Sequence, residues 1–336
     1  MTKVVLGFSG GVDSAVSAVL LQKAGFEVHG LYMDNTGDEA RREAVSSAAR
    51  MGVELTVVDV HGALEHRVCR PFTDCYLRGE TPNPCILCNP TLKFPTLLNE
   101  ADRIGAELVA TGHYARAEGG ALYKGRPAND QSYMLCRLTR EQVRRLTLPL
   151  GGYEKTQVRA LAEEFGLPAA HKKDSMEICF IPDKDYVGWI SRRTALPGPG
   201  DFLFHGEVIG QHKGIVHWTV GQRIPGLYDG RKLYVTRIDA ETNSIQLALW
   251  EELFKTRLTA LDFNWLIDPP VEPIPASVRV RHTKWEEPQC AVTAGEDGSA
   301  RIVCETPVRA PAPGQSAVLY QGERLIGGGF IGEGSE

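Results

Sequence analysis

The sequence has 336 residues, which at about 150 residues per domain predicts two or three domains with a sizeable buried core. Hydrophobic residues make up 43% and charged residues 24%, a balance that excludes wholesale disorder. No apolar run approaches the roughly 18 residues of a membrane span, and Val4–Leu6 is too short for a signal peptide, so we expect a cytoplasmic protein. The formal net charge of −5 argues mildly against nucleic-acid binding, because proteins that bind nucleic acids usually present a basic surface.

The first third of the chain alternates strand and helix patterns. Strands are predicted at Lys3–Phe8, Glu27–Met33, Glu54–Asp59 and Glu107–Thr111, and helices at Ser14–Ala24, Glu39–Met51 and Leu92–Ile104. This alternation predicts an α/β domain with a doubly wound parallel sheet. Ligands bind such sheets at the carboxyl ends of the strands, where Ser9–Ser14 and Thr111–His113 should both lie.

The pattern changes in the second half of the chain. Arg137–Lys173 is predicted to be helical and basic, with a local charge of +4, and Ser175–Pro182 to be extended and partly buried. After the linker Leu196–Asp201, short β-like runs alternate with Gly, Pro and Asp turns. We therefore predict an α/β domain over 1–195, a β-rich domain over 196–255 and a small β-barrel over 256–336.

The string Ser9–Ser14 follows a strand and opens a helix. Gly10 and Gly11 allow a tight turn, and successive backbone N–H groups at a helix N-terminus form a cradle for an anion such as pyrophosphate. Asp13 is a poor phosphate contact and is interpreted as a Mg²⁺ ligand or as a group that organises the loop. The alternative is a helix N-cap that binds no ligand, since Asp and Ser are good capping residues.

Eight cysteines occur, and in a cytosolic chain they are expected to be reduced, catalytic or metal-bound. Cys85 and Cys88 form a CxxC within a Pro/Asn turn, which indicates either a metal site or reactive thiols. A closed zinc site would need further ligands, for which His113 and Cys179 are the attractive candidates. Cys179 alone would be a core cysteine, but the nearby Lys172, Lys173 and Asp174 complicate that interpretation, because nearby cations lower a thiol pKa. The other cysteines are interpreted as structural: Cys69, Cys75, Cys136, Cys290 and Cys304.

These motifs carry a resemblance that covers essentially the whole chain. The strings, in order, are GFSGGVDS (7–14), TPNPCILCNPTLKF (81–94), ATGHYAR (110–116), NDQSYML (129–135), LPLGGYEKTQVRALA (148–162), KKDSMEICFIP (172–182), HWTVGQRIPGL (217–227) and PGQSAVLYQGERLIGGGFI (313–331). Together they resemble the tRNA-specific 2-thiouridylases of the PP-loop ATP-pyrophosphatase superfamily. The resemblance implies an adenine nucleotide alpha hydrolase-like first domain and ATP-dependent formation of 2-thiouridine at the tRNA wobble position, after adenylation of the uridine O2.

The resemblance also implies roles for individual residues. ATP and Mg²⁺ would lie at Gly7, Phe8, Ser9, Gly10, Gly11, Val12, Asp13, Ser14, Met33 and Gly112. Cys88 matches the family's nucleophile, and Cys179 matches the cysteine that carries a persulfide supplied by a cysteine desulfurase or sulfur-relay protein. Asn83, Pro84 and Cys85 match the segment that contacts the target base. Further tRNA contacts are matched by His113, Asn129, Asp130, Gln131, Arg281, His282 and Gln315, with tRNAs such as those for Lys, Glu and Gln as substrates.

The chain departs from the family pattern at two places. Cys85 stands where many relatives have Asp, so that Cys85, Cys88 and Cys179 are three candidate thiolates for a 4Fe–4S cluster, an alternative to the persulfide route. The segment after Met33 is shorter than usual, which affects the expected adenine and sulfur-donor contacts. Two other functions stay open: another PP-loop adenylating synthetase, and a zinc-stabilised RNA-binding protein without catalysis.

Overall fold

The computed structural model describes residues 1–35, 37–170, 172, 178–226, 228–282 and 287–334. By its internal contacts the chain forms two compact units. The first comprises Met1–Val68, Cys85–Pro182 and Glu323–Leu325, and the second Cys69–Pro84, Asp183–Gly322 and Ile326–Glu336. Within the described residues, no helix is long and apolar enough to cross a membrane.

The first unit begins with the predicted alternation of strands and helices. In chain order its elements are β1 (Lys3–Gly7), α1 (Val12–Lys23), β2 (Glu27–Asp34), α2 (Asp38–Arg50), β3 (Glu54–Asp59) and α3 (His61–Leu64), followed by a π-helical turn, Glu65–Cys69. The next two helices are α4 (Arg70–Leu77), which belongs to the second unit, and α5 (Pro84–Cys88). A second π-helical turn, Asn89–Lys93, leads into α6 (Phe94–Ile104), β4 (Leu108–Ala110), β5 (Ala115–Glu118) and β6 (Ala121–Lys124). A 3₁₀ turn (Ser132–Leu135) precedes α7 (Arg140–Arg144), β7 (Leu146–Thr147) and α8 (Lys155–Glu164).

Five of these strands form a parallel sheet in the order β3-β2-β1-β4-β7. Alternate residues of β1 face opposite sides: Val4 and Leu6 pack with α1 and α2, whereas Gly7 lies against Leu97 of α6. Because helices cover both faces, the central strand is a continuous apolar run. The predicted doubly wound α/β fold is confirmed, with β1 and β4 adjacent at its switch point.

The second unit holds the β-rich half of the chain. Its elements after α4 are α9 (Tyr186–Ser191), β8 (Gly200–Phe204), β9 (Glu207–His212), a 3₁₀ turn (Ile215–His217), β10 (Tyr234–Asp239), β11 (Ser244–Ala248) and a second 3₁₀ turn (Trp250–Leu253). There follow β12 (Phe254–Trp265), β13 (Ile274–Arg279), β14 (Gln289–Ala294), β15 (Ala300–Arg309), β16 (Ser316–Gln321) and β17 (Arg324–Ile331). Strands β8–β11 form one sheet, and six strands from β12 to β17 close into a barrel through the β12–β17 pairing. The predicted terminal β-barrel is therefore confirmed.

Two local predictions were wrong. Arg137–Lys173 is not one helical segment, because the Pro- and Gly-containing stretch between β7 and α8 interrupts it. Ser175–Glu177 lie outside the described residues, and the described part of the expected extended segment is a turn closed by the bond from Ile181 N–H to the carbonyl of Ile178 at 2.9 Å. Cys179 lies in that turn and is exposed.

Candidate functional site

The loop between β1 and α1 has the geometry of an anion cradle. Gly10 has a φ of +72°, a left-handed conformation that favours glycine, and a Cβ there would approach the Cα of Ala44 to 3.0 Å. The N-cap of α1 is Gly11, in extended conformation, and no side chain of the described residues caps this helix. The side-chain capping by Ser or Asp that the alternative interpretation needs is thus not observed among the described residues, and uncapped N–H groups at the start of a helix are donors of the kind that bind anions.

Two serine hydroxyls line the same loop. Ser9 Oγ lies 3.3 Å from Ser14 Oγ, and Ser14 also donates to the carbonyl of Gly11 at 3.0 Å. Ser9 is exposed whereas Ser14 is buried, so the pair extends from the surface into the loop. Phe8 and Val12 are buried and anchor the two ends of the loop in the core, which leaves the loop backbone as the part that can receive a ligand.

Asp13 is already engaged by two donors. Its carboxylate oxygens each lie 2.7 Å from Lys155 Nζ, and Tyr114 donates its hydroxyl to Oδ1 at 2.7 Å. Gly112 lies just beyond β4 and packs closely against Asp13. A Cβ at this position would lie 3.0 Å from Asp13 Cβ. These contacts favour Asp13 as the group that organises the loop, and they do not present its carboxylate to a Mg²⁺ ion.

His113 lies just beyond β4 and is half-buried. Its Nδ1 is 2.7 Å from Thr111 Oγ1, and its ring stacks on Phe94 with 6.3 Å between centroids. Burial, together with the charge of Lys93, holds the pKa of His113 well below its usual value. The imidazole is therefore neutral at physiological pH and available as a hydrogen-bonding group rather than as a cation.

The structure brings Cys85, Cys88 and Cys179 into electrostatic reach of one another. Cys85 and Cys88 lie one turn apart on α5. Desolvation is the largest cause of the raised pKa of Cys88 and of Cys179; negative charge on Cys179 would raise that of Cys88 further, and negative charge on Cys85 that of Cys179. Asn35, which directly follows β2, donates its side-chain amide to Cys179 Sγ at 3.6 Å. Because β2 neighbours β1 in a parallel sheet, Cys179 lies at the sheet edge that also carries the anion loop.

The Cys88 and Cys179 thiols rest in the protonated form, because the pKa of each is raised. Burial raises the pKa of Cys88 to about 11, although the charge and backbone N–H of Lys93 act in the opposite direction. Cys179 has an exposed surface but many protein atoms around it, and desolvation raises its pKa as well. The expectation that Lys172 favours a Cys179 thiolate was wrong, since Lys172 pairs with Glu43 at 2.7 Å, and among the described residues Lys93 is a cation that lowers the pKa of Cys179. Lys173 and Asp174 lie outside the described residues.

Metal binding finds no support in these side chains. Among the described residues, which include all eight cysteines, no group of three or more His, Cys, Asp or Glu is arranged to hold a metal ion. We derive no step through the zinc site or the 4Fe–4S cluster that the sequence offered as alternatives. Four of the five cysteines interpreted as structural are buried, and Cys75 is half-buried, where desolvation raises its pKa to about 12.

The residues matched to tRNA contacts fall into two groups. Asn129, Asp130 and Gln131 accept backbone hydrogen bonds from within the first unit, as described below. In the second unit, Gln315 Nε2 donates to the carbonyl of Thr81 at 3.0 Å, two residues before Asn83. Arg281 Nη2 donates to the carbonyls of Val220 and Ala310, both at 2.8 Å, whereas His282 is exposed. Pro84 begins α5.

Several residues of this site were not singled out from the sequence. Lys155, Tyr114, Asn35 and Lys93 each act on a predicted residue. Lys93, Tyr114 and Lys155 lie within the quoted strings, but nothing in those strings indicates which residue each of them contacts. Asn35 had a usable signal, because it follows a predicted strand at the ligand-binding edge. Met33 is half-buried near the end of β2.

Lys93 provides a test of the thiol electrostatics. With a pKa of about 11, the alkylation rate of Cys88 should rise about tenfold per pH unit between pH 7 and 10. Lys93→Met removes a charge that lowers this pKa and should slow alkylation at pH 8 by about threefold or more, whereas Lys93→Arg should not. Iodoacetamide kinetics read by peptide mass spectrometry measure both. A rate that levels off below pH 9 would contradict this electrostatic account.

Three family models match successive parts of the chain. A tRNA methyl transferase HUP domain matches residues 2–183, a tRNA methyl transferase PRC-barrel domain 195–248, and an aminomethyltransferase beta-barrel domain 255–331. Two solved structures are similar at a lower level. A U34-tRNA thiolase from Methanococcus maripaludis with its 4Fe-4S cluster is 21% identical with a TM-score of 0.36, covering 57% of this chain and 64% of that one. A 4-thiouridine synthetase–RNA complex with bound ATP is 19% identical with a TM-score of 0.37, covering 57% and 50%.

Curated relatives match over nearly the full length. A tRNA-specific 2-thiouridylase of Pelotomaculum thermopropionicum is 43% identical, covering 98% of this chain and 97% of the relative. The protein of the same name from Acetivibrio thermocellus is 40% identical, covering 98% and 99%. With this identity over almost every residue, the chain belongs to the tRNA-specific 2-thiouridylase family.

Proposed function

We propose that this protein is a cytoplasmic tRNA sulfurtransferase that converts the wobble uridine of tRNAs such as those for Lys, Glu and Gln to 2-thiouridine, with ATP as co-substrate. The observation that carries the proposal is the position of Cys179 beside Asn35, at the sheet edge that also bears the anion loop Ser9–Ser14. An anion cradle and sulfur groups at one edge suit a reaction in which ATP activates an oxygen and sulfur replaces it.

The first step activates the uridine. A uridine carbonyl is a poor electrophile, so its O2 attacks the α-phosphorus of ATP, the new O–P bond forms and pyrophosphate leaves. Backbone N–H groups at the start of α1 stabilise the departing charge, and Ser9 and Ser14 add hydroxyl donors. Mg²⁺ bound with ATP would neutralise part of the charge on the departing pyrophosphate. Met33, near the end of β2, and Gly112, just beyond β4, lie on the two strands that flank β1 and complete the nucleotide site.

The second step transfers sulfur. A cysteine desulfurase or relay protein leaves a persulfide on Cys179, and its terminal sulfur attacks C2, so that AMP departs with the former O2. The Cys88 thiolate then attacks Cys179 Sγ, releases 2-thiouridine and forms a Cys88–Cys179 disulfide. Two electrons from these cysteines reduce the transferred sulfur, and a dithiol reductant restores both thiols. In this proposal the target base is contacted by Asn83, Pro84 and Cys85. The rest of the tRNA is contacted by His113, Arg281, His282 and Gln315.

Nucleoside analysis of tRNA tests the proposed function. Protein purified without iron, incubated anaerobically with unmodified tRNA, ATP, a persulfide donor and a dithiol reductant, should yield 2-thiouridine at the wobble position. An absolute need for iron and sulfide would replace the persulfide route by the cluster alternative. No ATP cleavage with any tRNA would refute the enzyme assignment and leave a binding protein.

A further inference from the structure

The segment Asn129–Gln131 has a buried residue at its centre and a half-buried residue on each side. Asp130 is buried, and its carboxylate accepts from the backbone N–H groups of Gly125 at 2.8 Å and Ser132 at 3.1 Å. These bonds fix the path of the segment and thereby place Asn129 and Gln131 on either side of it. The Asn129 side chain bonds to the backbone of Lys155, and the Gln131 side chain bonds to the backbone of Tyr114. The side chains of Lys155 and Tyr114 in turn bond to the Asp13 carboxylate.

The first connection runs through Lys155. Asn129 Oδ1 accepts the backbone N–H of Lys155 at 3.1 Å, at the first residue of α8. From that position the Lys155 ammonium reaches both carboxylate oxygens of Asp13 at 2.7 Å. The ammonium is one-fifth exposed and the carboxylate one-third, so water screens this pair only in part. Asn129 thus fixes the start of the helix that carries the counter-ion of Asp13.

The second connection runs through Tyr114. Gln131 Oε1 accepts the Tyr114 backbone N–H at 3.1 Å, and the Gln131 backbone N–H donates to the Tyr114 carbonyl at 2.8 Å. Tyr114 packs in a cluster with Val12 and Val16 of α1, and its hydroxyl donates to Asp13 Oδ1 at 2.7 Å. Both donors to Asp13 are therefore positioned from the same short segment.

We propose that Asn129 and Gln131 are positioning residues of the ATP loop, which act on Asp13 through Lys155 and Tyr114. The inference rests on the proposed function, because it takes the loop Ser9–Ser14 as the ATP site. An Asp13 carboxylate without its ammonium partner would repel the phosphates of ATP, so any loss of the Lys155 position weakens nucleotide binding. The family resemblance assigns Asn129–Gln131 to tRNA contact, and in this proposal the same segment also sets the affinity for ATP. Binding of tRNA would therefore change the affinity for ATP, and binding of ATP would change the affinity for tRNA by the same factor.

Asn129 variants separate this role from an RNA contact. In protein without tRNA, Asn129→Ala should weaken ATP binding by about three- to tenfold, the loss expected from one hydrogen bond. Asn129→Asp should retain wild-type affinity, because its carboxylate still accepts the Lys155 N–H and suits a helix N-terminus. If Asn129 acts on RNA alone, the affinity for ATP is unchanged in both variants. The affinity for tRNA then falls more in Asn129→Asp than in Asn129→Ala, because the added carboxylate repels the RNA phosphates.

Two controls accompany the Asn129 variants: a charge change at a neighbouring position and a double variant with Lys155→Met. Ala128→Asp adds a charge at an exposed neighbouring position and should leave ATP binding unchanged. In steady-state thiolation, Asn129→Ala should raise the KM for ATP with little effect on kcat, and its effect should largely vanish in a Lys155→Met background. Full additivity of the two changes, or unaltered ATP binding by Asn129→Ala, would overturn the inference. A wild-type protein that binds no ATP would instead refute the proposed function.

Discussion

Replacing Cys179 by alanine is expected to abolish 2-thiouridine formation, with a loss of at least about 1,000-fold, because the variant has no sulfur on which the persulfide can form. ATP–pyrophosphate exchange with tRNA should persist within about threefold, since the anion loop and Lys155 are untouched by the change. Exchange measured with labelled pyrophosphate, beside nucleoside analysis of the same tRNA, gives both values.

The matched control for this prediction is Cys75→Ala. Cys75 is half-buried like Cys88, but its thiol accepts a hydrogen bond from Arg78 at 3.3 Å and has no part in the proposed reaction. It should retain full thiolation. Equal product from Cys179→Ala and wild type would show that another group carries the sulfur.

The second large effect concerns Gly10. Gly10→Ala forces a side chain into a left-handed conformation and against the Ala44 backbone, so either the loop or α2 must move. We expect a loss of about 1–3 kcal/mol in the free energy of unfolding and an ATP affinity lower by about tenfold to 100-fold, because the N–H groups of the cradle lose their alignment. Isothermal titration with a non-hydrolysable ATP analogue and urea unfolding measure the two effects.

Gly62→Ala serves as its control. Gly62 lies in α3, has no neighbour within 4 Å of the added methyl group, and should gain slightly in helix stability. If Gly10→Ala binds the analogue as tightly as Gly62→Ala does, the loop is not the nucleotide site.

Local sequence patterns predicted the elements of the first unit well. Glu54–Asp59 matches strand β3 residue for residue, because a short apolar run bounded by polar residues is typical of a strand. The start of α1 was displaced from Ser14 to Val12, since Gly11 takes the capping position without a side-chain bond. The helix expected from Leu92 begins at Phe94, after a π-helical turn that aims the Lys93 N–H at Cys88.

Long-range contacts are the part that the sequence could not supply. No local pattern pairs Asn35 with Cys179 or Lys155 with Asp13, which lie 144 and 142 positions apart. The pKa of Cys179 was misjudged for the same reason, because neighbours in sequence were taken for neighbours in space. Net charge misled in a similar way: the total of −5 conceals the excess of +4 over Arg137–Lys173, and within that stretch Arg145 is bonded to Asp102 at 2.6 Å.

The central claim is that the uridine O2 is adenylated and leaves as part of AMP. It is tested most directly by tRNA that carries ¹⁸O at O2 of the wobble uridine, incubated with this protein, ATP, a persulfide donor and a dithiol reductant. Mass spectrometry should find one ¹⁸O in the phosphate of AMP for each 2-thiouridine formed, and none in pyrophosphate. Thiolated tRNA accompanied by unlabelled AMP would contradict the account.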